Sequence, residues 1–392
     1  MEQKRLGFGF MRLPVKDMND RTSIDREELS RMVDRFIECG FSYFDLAYIY
    51  HNGACEKAFY EAVASRYPRD KYVVATKMPL SIVASKEHQE QIFSEQLQNC
   101  GVDYFDYYLL HGMDYHTIPK AKRFDSFDFI YQKENTGMIR NIGFSFHDTS
   151  EMLDEILTAH PEVDFVQLQI NYLDWDSVSI QSKACYEVAK KHNKKIIVME
   201  PVKGGILANV PEQVEQLFKD SSPDRSAASW AVRFAASQKN VIMVLSGMSN
   251  YAQLDDNVGY MKEFLPFSEN EHDVIKRAIP LFTDTNAIPC TFCRYCVTNC
   301  PKDIAIPEYF TQYNTYLNEK KSTEQNGLSN VEYNYYLIQK RRGKPTSCIM
   351  CRQCEKICPQ HLPVTDHLKT VDGEFSSAMK ILTAALSPQK SE

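Results

Sequence analysis

The stretch EELSRMVDRFIECGFSYFDLA (27–47) changes period in its middle, and that change decides the fold. Leu29, Met32, Val33 and Phe36 fall at i, i+3, i+4 and i+7, the spacing of one apolar helix face. Gly40 then gives a helix-stop signal, and SYFDLA (42–47) opens a short apolar run of strand type. The same alternation extends in both directions. Further apolar runs are LGFGF (6–10), KYVVATK (71–77), YFDYYLL (104–110), IRNIGFS (139–145), VDFVQLQI (163–170), KKIIVME (194–200) and NVIMVLSG (240–247), and Gly101 closes QEQIFSEQLQNC as Gly40 closes the first helix. Apolar strands alternating with amphipathic helices indicate a parallel sheet covered by helices. Eight such units fit an α/β fold of the (β/α)8 barrel type, the TIM barrel, whose chemistry sits at the C-terminal ends of the strands. An open doubly wound sheet is the alternative. No G-x-G-x-x-G lies between the first strand and helix, which weighs against it.

A chain of 392 residues exceeds what one hydrophobic core usually organises, so at least two domains are expected. With 43% hydrophobic and 25% charged residues the composition is that of an ordinary globular protein. The net charge of −7 argues against a nucleic-acid or anionic-membrane surface. No apolar run is long enough for a membrane span, and MEQKRLGFGF lacks a signal region, so a cytoplasmic protein is expected. The alternating pattern breaks near residue 287. We expect a barrel over 1–280, a small second domain over 281–372 and a fraying tail over 373–392.

Four of the twelve cysteines (Cys39, Cys55, Cys100, Cys185) are scattered through the first part and read as small buried hydrophobes. The other eight form two motifs of identical spacing, C-x2-C-x2-C-x3-C-P: Cys290, Cys293, Cys296 and Cys300, then Cys348, Cys351, Cys354 and Cys358. Three thiolates at two-residue gaps can wrap one loop around a [4Fe–4S] cluster, while the fourth, before proline, ligates the other cluster in two-cluster ferredoxins. This assigns Cys290, Cys293, Cys296 and Cys358 to one cluster and Cys348, Cys351, Cys354 and Cys300 to the other. Zinc takes four ligands in two pairs, which leaves the third close cysteine redundant, and disulfides do not suit a cytoplasmic protein. The 47 residues between Cys300 and Cys348 read as helical, with VEYNYYLIQKRR (331–342) as a helix, so the second domain is expected to be a helical ferredoxin-type domain.

Four polar residues fall at the ends of consecutive apolar runs: Asp45 and Tyr50 in FDLAYIY, Lys77 in VVATK, and His111 in YYLLH. Each alone has a bland reading, as a solvated strand end or a packed ring. Together they mark the rim that hosts catalysis in such barrels. A phenol with a pKa near 10 is a poor acid at neutrality. A lysine at about 4 Å favours the phenolate by up to about 4 kcal/mol at an effective dielectric of 20, before burial takes some back. Asp45 would hold Lys77 charged and in place, and His111 would orient a carbonyl by hydrogen bonding. His51, beside Tyr50, is a candidate pocket residue, and His116 reads as a solvated loop histidine.

With these residues in order, residues 4–265 resemble the aldo-keto reductase family, whose tetrad matches Asp45, Tyr50, Lys77 and His111. IGFS (142–145) and FVQLQINYLD (165–174) are similar to segments lining the nicotinamide in that family, which implies cofactor roles for Ser145, Gln167 and Asn171. GMSNYAQLDDNVGY (247–260) resembles the adenosine-phosphate segment, with Asn257 near the adenine. GFGFMRLP (7–14), EPVKGG (200–205) and the terminal cysteines resemble the iron–sulfur branch of the family. Two departures stand out. Met199 occupies the place of an aromatic that stacks on the nicotinamide. Gly247 and Gln253 occupy the places of the Lys and Arg that hold the NADPH 2′-phosphate, so a preference for NADPH is not implied.

The leading reading is an oxidoreductase that reduces a small-molecule carbonyl, or oxidises the alcohol, with Tyr50 as general acid/base and NAD(P)H as hydride source. The two clusters would exchange electrons with a cofactor or an electron-transfer protein. A hydride carries two electrons and a cluster accepts one, so coupling the two needs a converter such as a flavin, which a barrel mouth can hold by its phosphate. The alternatives are an electron-transfer protein whose barrel docks or regulates, and a nicotinamide-dependent reductase whose clusters are structural.

Overall fold

A computed structural model describes residues 4–18, 20–282, 287–322 and 330–385. The chain divides into two compact units, residues 1–203 with 207–281, and residues 204–206 with 282–392.

The first unit is a closed eight-stranded parallel barrel. Its strands are β1 (Leu6–Gly9), β4 (Tyr43–Asp45), β5 (Val73–Met78), β6 (Tyr107–Met113), β7 (Ile142–Phe146), β8 (Phe165–Gln169), β9 (Lys195–Met199) and β10 (Val241–Ser246). Each starts inside one of the eight apolar runs of the sequence, and β5, β6 and β7 extend one to three residues beyond theirs. A short hairpin of β2 (Val15–Asp17) and β3 (Asp20–Ile24), absent from the sequence expectations, follows β1. Helices cover the outside. Arg26–Glu38 starts on Asp25, whose carboxylate accepts the Glu28 N–H at 3.1 Å, and buries Leu29, Met32, Val33 and Phe36, the stripe expected from spacing.

Side chains alternate between the two faces of a strand, so every second residue points into the barrel. Tyr43, Ala75, Leu109, Phe165, Ile197, Met243 and Leu245 form one inner cluster. Gly143 makes room for it, because a Cβ there would meet Phe165 at 2.6 Å. Two residues further along, the same inward parity on β4, β5, β6, β7 and β8 is occupied by Asp45, Lys77, His111, Ser145 and Gln167. Neighbouring strands keep these in step: Lys77 pairs with Leu109, and Ser145 with Gln167. One layer above the apolar plug, the barrel thus carries a polar ring toward its C-terminal mouth.

The second unit is helical among its described residues. Its helices Ile306–Ser322, Asn330–Arg341 and Val364–Ala385 pack on Tyr309, Phe310, Tyr335, Leu368, Val371 and Phe375. Tyr335 and Phe375 stack with ring centroids 4.2 Å apart and planes 10° apart. The expected tail at 373 needs correction here. The last helix runs through that boundary because Phe375, 1% exposed, is part of the core. SPQKSE (387–392) lies outside the described residues. The expected barrel range also changes, since Gly204–Ile206 groups with the second unit. Within that unit a Cβ on Gly204 would meet the Thr291 Cα at 2.5 Å, an approach open to glycine alone.

Candidate functional site

The tetrad converges. Lys77 Nζ donates to Asp45 Oδ1 at 2.5 Å and to the Leu46 carbonyl at 2.5 Å, with Lys77 1% and Asp45 3% exposed. Lys77 Nζ also lies 4.9 Å from the centre of the Tyr50 ring, which meets His111 edge-on at 5.8 Å between centroids. Burial pushes the Asp45 carboxyl up, against the pull of the Lys77 charge. His111 is held well below the ordinary histidine range by burial, and by the Lys77 and His147 charges. It is therefore a neutral imidazole, suited to hydrogen bonding and not to supplying the proton.

A polar cluster behind Lys77 escaped the sequence reading. Gln96 Nε2 donates to the Lys77 carbonyl at 3.0 Å and to Glu56 Oε1 at 2.8 Å, and Thr76 Oγ1 donates to the same Glu56 oxygen at 2.7 Å. Tyr108 closes it by donating to Gln96 Oε1 at 2.5 Å. Glu56 is 1% exposed, and burial raises its carboxyl. This network fixes the strand segment that bears Lys77. Glu56 and Gln96 lie on helices, where nothing in their spacing marks them as partners of a strand.

His51 has a structural place. It is 4% exposed, its Nε2 accepts the Leu13 N–H at 3.2 Å and its Nδ1 donates to the Arg21 carbonyl at 2.8 Å. The ring thus ties the turn after Tyr50 to the residues around β2 and β3. Burial lowers its pKa to about 4, which keeps Nε2 an acceptor at neutral pH. His51 and its neighbour Asn52 both adopt left-handed backbone, at φ 51° and 52°. His116 lies on an exposed loop.

The four residues implied for the cofactor separate into two kinds. Gln167 Oε1 and Asn257 Oδ1 are buried acceptors with no hydrogen-bond partner among the described residues. Ser145 Oγ accepts the Gly112 N–H at 2.8 Å and is 1% exposed. Asn171 is fully used by its own loop and the backbone after β9. It donates to Asp174 Oδ2 at 2.8 Å and to the Glu200 carbonyl at 3.2 Å, and accepts from the N–H groups of Leu173 and Asp174. That loop holds a second buried pair, Lys203 Nζ to Asp174 Oδ1 at 2.5 Å, which the sequence gave no sign of. Near the cofactor's expected phosphate end, Gln253 Oε1 accepts the Ser249 N–H, while the Arg12 stem covers Gly247.

In the second unit the cysteines gather in the crossed arrangement. Cys290, Cys293, Cys296 and Cys358 line one concavity, and Cys300, Cys348, Cys351 and Cys354 line another. Four soft sulfur donors around each space are a donor set for a [4Fe–4S] cluster. The backbone repeats too: Phe292 and Met350, Arg294 and Arg352, and Asp303 and His361 occupy matching positions, all with φ between 51° and 68°. Cys39, Cys55, Cys100 and Cys185 are buried, as isolated cysteines were expected to be.

An eight-stranded barrel with a polar ring at its C-terminal mouth defines the class, a TIM-barrel scaffold fused to a ferredoxin-type domain. The family model for the aldo/keto reductase family matches residues 5–280, and that for the 4Fe-4S dicluster domain matches residues 289–362. The chain belongs to the aldo/keto reductase family and carries a C-terminal 4Fe–4S dicluster domain. It is 32% identical over 142 residues to an aldo-keto reductase of Mycobacterium avium, a match spanning 36% of this chain and 46% of that protein, less than half its length. Among solved structures, the holo form of a Bacillus halodurans aldo-keto reductase superposes with a TM-score of 0.57 at 22% identity, covering 70% of this chain and 91% of that one. A Klebsiella pneumoniae aldo/keto reductase in complex with NADP and acetate gives 0.56 at 15% identity, over 71% and 96%. At these identities the structures share the fold. No helix among the described residues is long and apolar enough to cross a membrane.

Proposed function

We propose that the chain is an oxidoreductase that reduces a small-molecule carbonyl, or oxidises the corresponding alcohol, at the mouth of the barrel. The observation that carries this reading is the Lys77 ammonium, held by Asp45 at 2.5 Å and placed 4.9 Å from the Tyr50 ring. Tyr50 gives its phenolic proton to the carbonyl oxygen in reduction and takes it back in oxidation. Lys77 stabilises the phenolate left behind, and neutral His111 hydrogen-bonds the substrate oxygen. A nicotinamide, when bound, supplies or accepts the hydride. NADP is present in the Klebsiella relative, and here Gln167 Oε1 and Asn257 Oδ1 offer buried acceptors for such a cofactor. Ser145 stands in the same inward ring, while Asn171 serves the loop and leaves no polar atom for a ligand.

The two [4Fe–4S] clusters carry single electrons to or from an electron-transfer protein. Joining that flow to hydride chemistry requires a two-to-one-electron converter, for which a flavin is the candidate. The test is made on anaerobically purified protein with both clusters. It is assayed against aldehydes and ketones with NADH and NADPH, and its visible spectrum is inspected for flavin bands above the cluster absorption. Turnover with both nicotinamides, at affinities within about tenfold, is expected. A hundredfold preference for NADPH, about 2.7 kcal/mol, would point to Arg12 as the missing cation. Failure of either nicotinamide to bind, with the clusters still reducible, would instead make the chain an electron-transfer protein.

A further inference from the structure

The two cysteine loops match in spacing and backbone, yet their surroundings differ. In the first loop Thr291 is 2% exposed, Cys293 is half-buried, and Arg294 is paired with Glu308. In the second, the equivalent Ile349 and Met350 are 56% and 38% exposed, and Cys351 is the single exposed cysteine of the twelve. Ile349, Arg352 and Lys302 line the concavity of Cys300, Cys348, Cys351 and Cys354. An exposed apolar pair beside an exposed cysteine of a cluster site leaves a short path for an electron.

Charge is as unequal as exposure. Residues 341–356 contain Arg341, Arg342, Lys344, Arg352 and Lys356 against one acidic residue, Glu355, in a chain of net charge −7. Glu355 is itself engaged, its Oε1 accepting the Thr365 N–H at 2.9 Å and its Oε2 lying 3.7 Å from the still-exposed Arg352, while Arg342 pairs with Asp303. Around the first loop, residues 287–298 hold Arg294 as their one charge. Lys302, Lys344, Arg352 and Lys356 are all exposed. Electron-transfer complexes are small and short-lived, and their partners are selected and steered by opposite charge around a modest apolar centre.

We propose that the cluster site of Cys300, Cys348, Cys351 and Cys354 is the port at which an acidic one-electron carrier protein docks, over Ile349 and Met350 and within the rim of Lys302, Lys344, Arg352 and Lys356. The proposal rests on reading the clusters as electron carriers. One electron leaves the reduced carrier and enters the cluster, so the carrier is oxidised and the cluster reduced by one. No bond is made or broken.

The test uses the full chain with both clusters, checked by iron content and by electron paramagnetic resonance after dithionite. The probe is a plant-type [2Fe–2S] ferredoxin, an acidic protein, with basic cytochrome c for comparison. Calorimetry gives the affinity of the oxidised ferredoxin, and stopped-flow spectroscopy gives the rate of cluster reduction by the reduced form. Arg352→Glu with Lys356→Glu is expected to lower both by at least tenfold at low salt, while Lys276→Glu on the barrel changes neither. The wild-type rate should fall as salt rises. Should the double variant lose iron, Lys344→Glu, outside the cysteine motif, repeats the measurement with the same expectation. Unchanged affinity and rate in the reversed variants, or equal binding of cytochrome c, overturns the port while leaving the electron-carrier reading intact. If dithionite reduces neither cluster, that reading falls and the port falls with it.

Discussion

Lys77 and Asp45 come from adjacent strands, and their side chains meet at 2.5 Å although both are almost fully removed from water. The register explains the meeting. Asp45 lies level with Ala75, two residues below Lys77, so both side chains point inward and the long lysine folds back to the shorter aspartate. A lone buried charge of either sign would cost several kcal/mol, so each residue makes the other tolerable.

Tyr50→Phe removes the phenolic proton and keeps the ring that faces Lys77 and His111. Carbonyl reduction should fall by about 10² to 10⁴-fold, with both clusters and the fold retained. The measurement is single-turnover reduction of an aldehyde, where chemistry sets the rate. Retention of more than half the wild-type rate would mean that another group supplies the proton.

Asp45→Asn leaves Lys77 buried against a neutral amide and the Leu46 carbonyl. Breaking a buried pair by removing one partner costs about 3–5 kcal/mol. Both tryptophans, Trp175 and Trp230, lie in the barrel, so urea unfolding followed by their fluorescence reports this unit. The double variant Asp45→Asn with Lys77→Met should regain part of the stability and none of the activity. A single variant within about 1 kcal/mol of wild type would show that the Asp45 charge is not what makes buried Lys77 tolerable.

Glu271 on the helix Glu269–Ala278 gives a pH signature. Burial would raise its carboxyl, but the Arg233 guanidinium at 2.6 Å and the Ser268 N–H and hydroxyl outweigh it and hold the pKa at about 2. A depressed carboxylate stabilises the fold above its unfolded value, here 4.5, and that stability is lost as pH falls toward about 2. Glu271→Gln should therefore cost about 3 kcal/mol at pH 7 and roughly half of that at pH 3. A difference that stays constant between these pH values would remove the charge from the explanation.

Cys358→Ser should disturb the cluster held by Cys290, Cys293 and Cys296, far away in sequence, because the four cysteines line one concavity. Electron paramagnetic resonance of the reduced protein identifies the affected centre, with Cys293→Ser and Cys351→Ser as assignments. Altered signals from the 348–354 cluster alone would show that each motif serves its own site. Assaying the same variants for nicotinamide-driven carbonyl reduction also shows whether that reaction needs the clusters.

The amino-acid sequence by itself determined the barrel, the positions of its eight strands and the order of Asp45, Tyr50, Lys77 and His111. Strands buried on both faces must be apolar nearly throughout, so each leaves a local mark that needs no knowledge of its neighbours. The two cysteine motifs are equally local, since one loop wraps three ligands. Tertiary structure decided everything that depends on pairing across the chain. Glu56 and Gln96 became supports of Lys77, Lys203 found Asp174, and His51 turned from a pocket candidate into a tie between backbone segments. Asn171, implied for the cofactor, has its donors and acceptors filled by its own loop and by the Glu200 carbonyl after β9. Phe375 entered the core of the second unit by stacking on Tyr335, although its segment reads as a tail. These outcomes rest on strand register, helix packing and the crossing of the cysteine loops. Such contacts join residues tens of positions apart, and no local period or spacing encodes them.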